Sequence, residues 1–186
     1  MRRYLKLILV ILFPYSIILV LVCIFSGIIE TVLKNFDFLV LLALPVLYIA
    51  ALVSSVAFLI TSLVKKRNAQ ELLHINMAIK LIHIPSYLII FSLGLVSMMT
   101  IFTLGFTIVF IIWDCMTIVL SGLIGLGGVI RSLRENKLSK KAVVIHGILQ
   151  FVFCADVISS IIIYKTVKRN SSLDSIERQK SVGDFA

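Results

Sequence analysis

Four apolar stretches of 20 or more residues, each closed by a polar or basic segment, constrain this chain more than any other feature. A helix needs about 20 mostly apolar residues to cross the hydrocarbon of a bilayer. Leu7–Ile29 supplies 23 and Phe38–Val64 supplies 27, the second closed by Lys65-Lys66-Arg67. From Ser86 to Ile130 the only charged residue is Asp114, and that stretch is too long for one span. It fits a tight hairpin of two, spans 86–104 and 107–130, turning near Thr103-Leu104-Gly105-Phe106-Thr107. After five cations between Arg131 and Lys141, Ala142–Tyr164 reads as a fifth span.

Composition agrees. Across 186 residues, 60% are hydrophobic, 15% are charged and the mean hydropathy is +1.13. Soluble domains carry roughly 45–50% apolar and about 25% charged residues. The excess argues against a soluble enzyme, a nucleic-acid-binding module and a secreted disulfide scaffold. The expected fold class is all-α: a polytopic helical membrane protein with about five transmembrane helices and one interfacial helix.

The N-terminal Met1-Arg2-Arg3-Tyr4-Leu5-Lys6 followed by an apolar run imitates a signal peptide. That run exceeds the roughly 7–15 residues of a signal h-region, and no A-x-A site follows. Val22 ahead of Cys23 speaks against lipoprotein cleavage, so the run is expected to be retained. Pro14 and Pro45 should kink their helices. Asn68–Ile84 is intermediate in polarity. Asn68 can cap a helix, with Leu72, Ile75, Ile79 and Ile82 on one face and Asn76, Lys80 and His83 forming a polar wedge beside it. The reading is an interfacial helix over 68–84 that turns into the bilayer at Pro85. Residues 1–164 then form a single helical transmembrane domain, and the polar, Ser-rich 165–186 is expected to be a disordered tail.

The net charge of +9 comes from 18 Lys and Arg against 9 Asp and Glu. Most basic residues flank the apolar stretches, which points to anionic lipid headgroups on the cytoplasmic side rather than nucleic acid. Twelve basic residues lie at the N-terminus, in 65–85 and in 131–141, against six on the other side, five of them in the tail. The positive-inside rule puts the N-terminus in the cytoplasm. Five spans would leave Lys165, Lys168 and Arg169 outside, against that rule. A fifth segment that dips in and returns would resolve the conflict, but nothing in 142–164 looks like a turn. No internal repeat of the kind that builds many transporters is evident.

Two carboxylates lie inside apolar stretches, Asp114 and Asp156. A charge at the bilayer centre costs about 2.5–3.5 kcal/mol on insertion scales, so each needs a partner, water or a proton. Counted from the outer ends of their spans, both fall roughly 10–12 Å deep, as neighbours on antiparallel helices. Thr107, Asp114, Thr117, Ser121, Gly125 and Gly128 share one arc of their helix, with small-xxx-small spacing from Ser121 to Gly125. Asp156, Ser160, His146, Gln150 and Cys154 share an arc of the next. Two close carboxylates cannot both ionise cheaply, so the pair could hold a proton or a cation, with His146 and Gln150 extending a polar path. The alternative is interhelical glue, a protonated aspartate hydrogen-bonding across the helix pair. No third carboxylate or basic partner is expected at that depth.

Nothing else carries chemistry. Gly125-Leu126-Gly127-Gly128 lacks the lysine and the strand–turn–helix setting of a phosphate loop. His74 and His83 have no companions for a metal set, and Cys23, Cys115 and Cys154 give neither a zinc motif nor a disulfide framework. G-x-S-x-G, H-E-x-x-H and Ser/His/Asp arrangements are missing. No cofactor, metal or enzymatic activity is expected. Trp113, Tyr4, Tyr48, Tyr87 and Tyr164 include interfacial anchors, and Trp113 can instead pack over Asp114.

The segments HIPSYLIIFSLG, TIFTLGFTIVF, DCMTIVLSGLIGLGGVIR and NKLSKKAVVIHGILQFVFCADVISSIIIYK, between His83 and Lys168, together resemble a group of small polytopic membrane proteins of low-GC Gram-positive bacteria, known as a domain of unknown function. The resemblance implies a bacterial cytoplasmic membrane and no activity. The expected function is that of a non-enzymatic accessory subunit or a component of a small oligomeric assembly, with a membrane-protein partner or further copies of itself. The alternative is a proton- or cation-coupled transporter or channel component using Asp114 and Asp156.

Overall fold

The computed structural model describes residues 2–26, 37–99 and 101–183. Among these the chain is all-helical, with six α-helices and one short 3-10 turn. They are α1 (Arg2–Phe25), α2 (Asp37–Val64), α3 (Ala69–Ser97), α4 (Leu104–Arg134), α5 (Lys140–Leu149) and α6 (Ala155–Gly183), with the 3-10 turn Ile101–Thr103 between α3 and α4. The first four are long and apolar enough to cross a membrane.

Helices α1 to α4 run up and down as a bundle, α4 packing along α3 and α2, and α1 lying against α2 and α3. On α1 the inward face is Leu7, Val10, Phe13, Ile17 and Leu21, spaced three or four apart as one helical stripe requires. Its outward face, with Ile8, Leu12, Leu19 and Val22, is just as apolar. The same holds around the molecule, through Val53, Leu88, Ile108, Val144 and Ile158, while Ser55, Ser62, Asn76, Lys80 and Ser121 are inside. A water-soluble bundle is patterned the other way round.

Three expectations are corrected. The first is the interfacial helix over 68–84 with a separate span 86–104: α3 is one helix of 29 residues that continues through Pro85. Asn68 does cap it, its side chain accepting from the Gln70 N–H. The proline ring disturbs the carbonyls one turn back, and the Tyr15 hydroxyl of α1 donates to one of them, that of Ile82. Asn76, Lys80 and His83 are wholly buried, not aimed at headgroups.

The second correction is the fifth span, 142–164. The chain breaks after Leu149, passes through Gln150–Cys154, and resumes as α6 in the opposite direction. Cys154 takes a left-handed φ of 62° at the reversal. Two contacts between the arms fix the hairpin: His146 Nδ1 lies 2.8 Å from Ser159 Oγ, and the Asn170 side-chain amide donates to the Lys137 carbonyl at 2.8 Å. Residue 170 is therefore back beside residue 137, at the end of the bundle where α5 begins.

The third correction is the tail. Residues 165–183 continue α6 as helix, with Val167 buried beside Ile163 and packed on Ala69, Leu73 and Val129. Those apolar contacts and Asn170 hold a sequence whose mean hydropathy alone would not bury it.

Candidate functional site: an ion pair at the break of a hairpin

Breaking a helix inside a bundle exposes the last carbonyls of one half and the first N–H groups of the other, with a partial negative charge at the first end and a positive one at the second. Side chains of α3 and α6 answer both. Lys80 Nζ donates to the Gln150 carbonyl at the end of α5 (3.2 Å) and to Asp156 Oδ2 at the start of α6 (2.9 Å). Asp156 Oδ1 accepts from the Val157 N–H (2.8 Å), so the carboxylate sits on the positive end of α6. The cation meets the negative helix end, the anion meets the positive one, and the two pair with each other. Side-chain exposures of 0% for Lys80 and 1% for Asp156 keep bulk water away, so the two charges rely on each other and on the helix ends.

A ring of neutral polar groups surrounds the pair. The Asn76 amide donates to Ser160 Oγ (2.9 Å) and to Gln150 Oε1 (3.2 Å), and the Ser160 hydroxyl donates to the Asp156 carbonyl (2.7 Å). Asn76 and Lys80 are four apart on α3, and Asp156 and Ser160 four apart on α6, so each pair projects from one helical face.

The glycines of α4 make the room. A Cβ on Gly125 would stand 2.7 Å from Gln150 Cδ and 2.8 Å from Asn76 Nδ2, and one on Gly122 would stand 2.7 Å from the Phe151 ring. Gly128 does the same for α3, a Cβ there meeting Leu73 Cδ2 at 2.8 Å. The small-residue face of α4 thus admits the hairpin tip as well as a neighbouring helix.

Of the residues singled out from sequence, Asp156, Gln150 and Ser160 belong to this network. His146 lies on the outer arm of the hairpin with Ser159. Thr117 and Ser121 are buried but bond within their own helix, to the Trp113 and Ile118 carbonyls. Asp114 stands apart. It is buried, its Oδ1 has no hydrogen-bond partner among the described residues, and the partner of Asp156 is Lys80. Helix rise explains the separation. Measured from the 134–140 connection, Asp114 lies about 30 Å along α4, whereas Asp156 is about 21 Å from Asn170 along α6. The equal-depth estimate assumed that 142–164 crossed in one piece.

Lys80 and Asn76 are the members that sequence reasoning misplaced. Their signal was the polar wedge Asn76, Lys80 and His83 on one face of an otherwise apolar helix. At the basic end a second, half-buried cluster ties three segments together. Glu135 accepts from the Ala69 N–H (3.0 Å) and pairs with Arg131 and Lys137 (both 2.9 Å), while Arg131 Nε donates to the Arg67 carbonyl (2.8 Å).

Fold and site together define a helical bundle with a membrane-like apolar exterior, holding a broken helix pair by a buried Lys–Asp latch. The chain belongs to a family of unknown function (DUF6652), whose model matches residues 2–169 and so takes in the whole network. No curated protein and no solved structure matches it.

Proposed function

We propose that this is a multi-pass protein of a bacterial plasma membrane that acts without enzymatic chemistry, as an accessory subunit or a component of a small oligomeric assembly. The apolar exterior of α1 to α4 supports insertion. Helices α5 and α6 form a re-entrant hairpin that enters and leaves on the side carrying residues 65–67 and 131–141, with that side in the cytoplasm against anionic headgroups. The observation that carries the non-enzymatic reading is the closure of the latch. Lys80, Asp156 and the Gln150 carbonyl are occupied with one another in holding the hairpin.

The test is native mass spectrometry of protein extracted from its own membrane, together with proton- and cation-flux assays in proteoliposomes. A defined homo-oligomer or a stoichiometric membrane-protein partner, with no flux, is the expected result. Cation- or proton-dependent flux that disappears in a folded Asp156→Asn variant would overturn the reading in favour of a transporter. One observation favours that second reading: ionisable groups at a helix break inside the bundle, a combination that marks transport pathways.

A further inference from the structure

Asp114 takes no part in the latch. Two adjoining clefts open on it between α3, α4 and the hairpin tip, of about 110 Å³ and about 190 Å³, and both are lined by Phe91 and Ile111. Phe91 also lines a third, apolar groove of about 310 Å³ beside Tyr87, Leu88 and Phe153. Asp114 lines both clefts at 9% exposure, and its buried Oδ1 has no hydrogen-bond partner among the described residues. None of the described residues lining the two clefts carries a positive charge.

A lone carboxylate in such a place takes up a proton or a positive counterpart, and the site can bind whatever cation its walls suit. The composition of the walls decides which kind. A small inorganic cation needs several oxygen ligands, and among the described side chains the clefts offer Asp114 and the Thr107 hydroxyl, the latter engaged with the Gly94 carbonyl at 3.3 Å. The rest of the described lining is mostly aliphatic, with three aromatic side chains among it. Phe110 lines one cleft, Phe153 lines the other, and Phe91 lines both, its ring stacked on that of Phe153 at 5.8 Å between centroids. Aromatic faces attract an organic cation, and a desolvated one most of all. From these walls and this charge we infer that Asp114 and the Phe91 crevice form a binding site for an organic cation with an apolar body. The ammonium lies against Asp114 and the hydrocarbon lies along the groove between Leu88 and Phe153. This site is separate from the latch and does not depend on the accessory or transporter reading, since binding requires no flux.

The probe is decyltrimethylammonium, with decanol as the neutral match of the same chain length, added to purified protein in the uncharged detergent dodecyl maltoside at pH 8. Trp113, the single tryptophan of the chain, neighbours Asp114 in sequence and stands 5.8 Å from the ring of Phe110, which lines one cleft, so its fluorescence follows occupancy through that ring. Expected are saturable binding of the ammonium, at least tenfold weaker binding of decanol, and a loss of at least tenfold in Asp114→Asn. Gly94→Val is the second variant. A Cβ at this position makes only ordinary contact with Phe110 at 3.7 Å, so the added methyl groups extend into the cleft while the carboxylate stays. It too should lose at least tenfold, and it decides the matter if Asp114→Asn does not purify as a monodisperse species. Binding that does not saturate, equal affinity for decanol, or unchanged affinity in either folded variant would overturn the assignment.

Discussion

Removing one member of the latch should destabilise the protein far more than removing both. In Asp156→Asn the Lys80 ammonium keeps the Gln150 carbonyl and loses its paired anion, in a position with 0% exposure. In Lys80→Met the carboxylate keeps the Val157 N–H and loses its paired cation. Breaking a buried pair from one side costs about 3–5 kcal/mol, because the remaining charge is left unpaired. At about 2–4 °C per kcal/mol for a chain of this length, each single variant should melt about 6–20 °C below wild type. In the double variant Lys80→Met/Asp156→Asn no charge remains. What is lost is one hydrogen bond to the α5 end and part of the charge–dipole attraction at α6, about 1–3 kcal/mol together. The double variant should therefore be more stable than either single one, and its coupling energy should be strongly non-additive. Thermal melts followed by size-exclusion chromatography give the order of stability, and titration with sodium dodecyl sulfate gives the free energies. Additive losses, or single variants within about 0.5 kcal/mol of wild type, would refute the claim that the pair holds the hairpin.

Other consequences follow from the same geometry. Gly125→Ala should cost about 1–3 kcal/mol by forcing Gln150 and Asn76 aside, whereas Gly105→Ala, where a Cβ meets nothing within 4 Å, should be neutral or slightly stabilising in the same melts. Glu135→Gln should cost about 1–2 kcal/mol by weakening its pairs with Arg131 and Lys137, and it should make the melting temperature less sensitive to salt between 0.1 and 1 M NaCl, since screening then has less to remove. For topology, single cysteines at Met99 and Leu173 in a background free of Cys23, Cys115 and Cys154 should behave oppositely toward an impermeant maleimide. Residue 99 should label in intact cells and residue 173 only after permeabilisation, while labelling of both in intact cells would restore five crossings.

How much of this was legible in the sequence depended on which features are periodic and which are relational. The apolar runs of α1, α2 and α4 announce themselves because every residue in the window contributes. The buried face of α4, from Thr107 through Asp114 and Ser121 to Gly128, could be read from a 100° rotation per residue, and all of these side chains or glycines are indeed buried. The hairpin could not be read this way. Gln150-Phe151-Val152-Phe153-Cys154 contains no proline or glycine, and the left-handed residue is a cysteine, so no local turn chemistry marks the reversal. The causes lie elsewhere in the chain, in Gly122 and Gly125, which leave space for the tip, and in Lys80, which satisfies the end of α5. Asn76, Lys80 and His83 form a polar face, and such a face on a helix reads as an interface until the hairpin that covers Asn76 and Lys80 is known.

The basic residues make the strongest independent argument for that hairpin. If 142–164 crossed in one piece, the five cations of the tail would lie opposite the other clusters, and the charge bias would be two to one. With the return of α6 fixed by Asn170 beside Lys137, those five join the three at the start of α1, the three at 65–67 and the five at 131–141. Lys34 alone remains for the opposite side, and Lys80 is inside, paired with Asp156. Positive charges set orientation through the short loops near the span ends, and a sixteen-to-one distribution in the proposed topology is far more decisive than twelve to six. The feature that conflicted with five spans, Lys165, Lys168 and Arg169 just after an apolar segment, is what a re-entrant pair requires: its second arm must emerge where the first one entered.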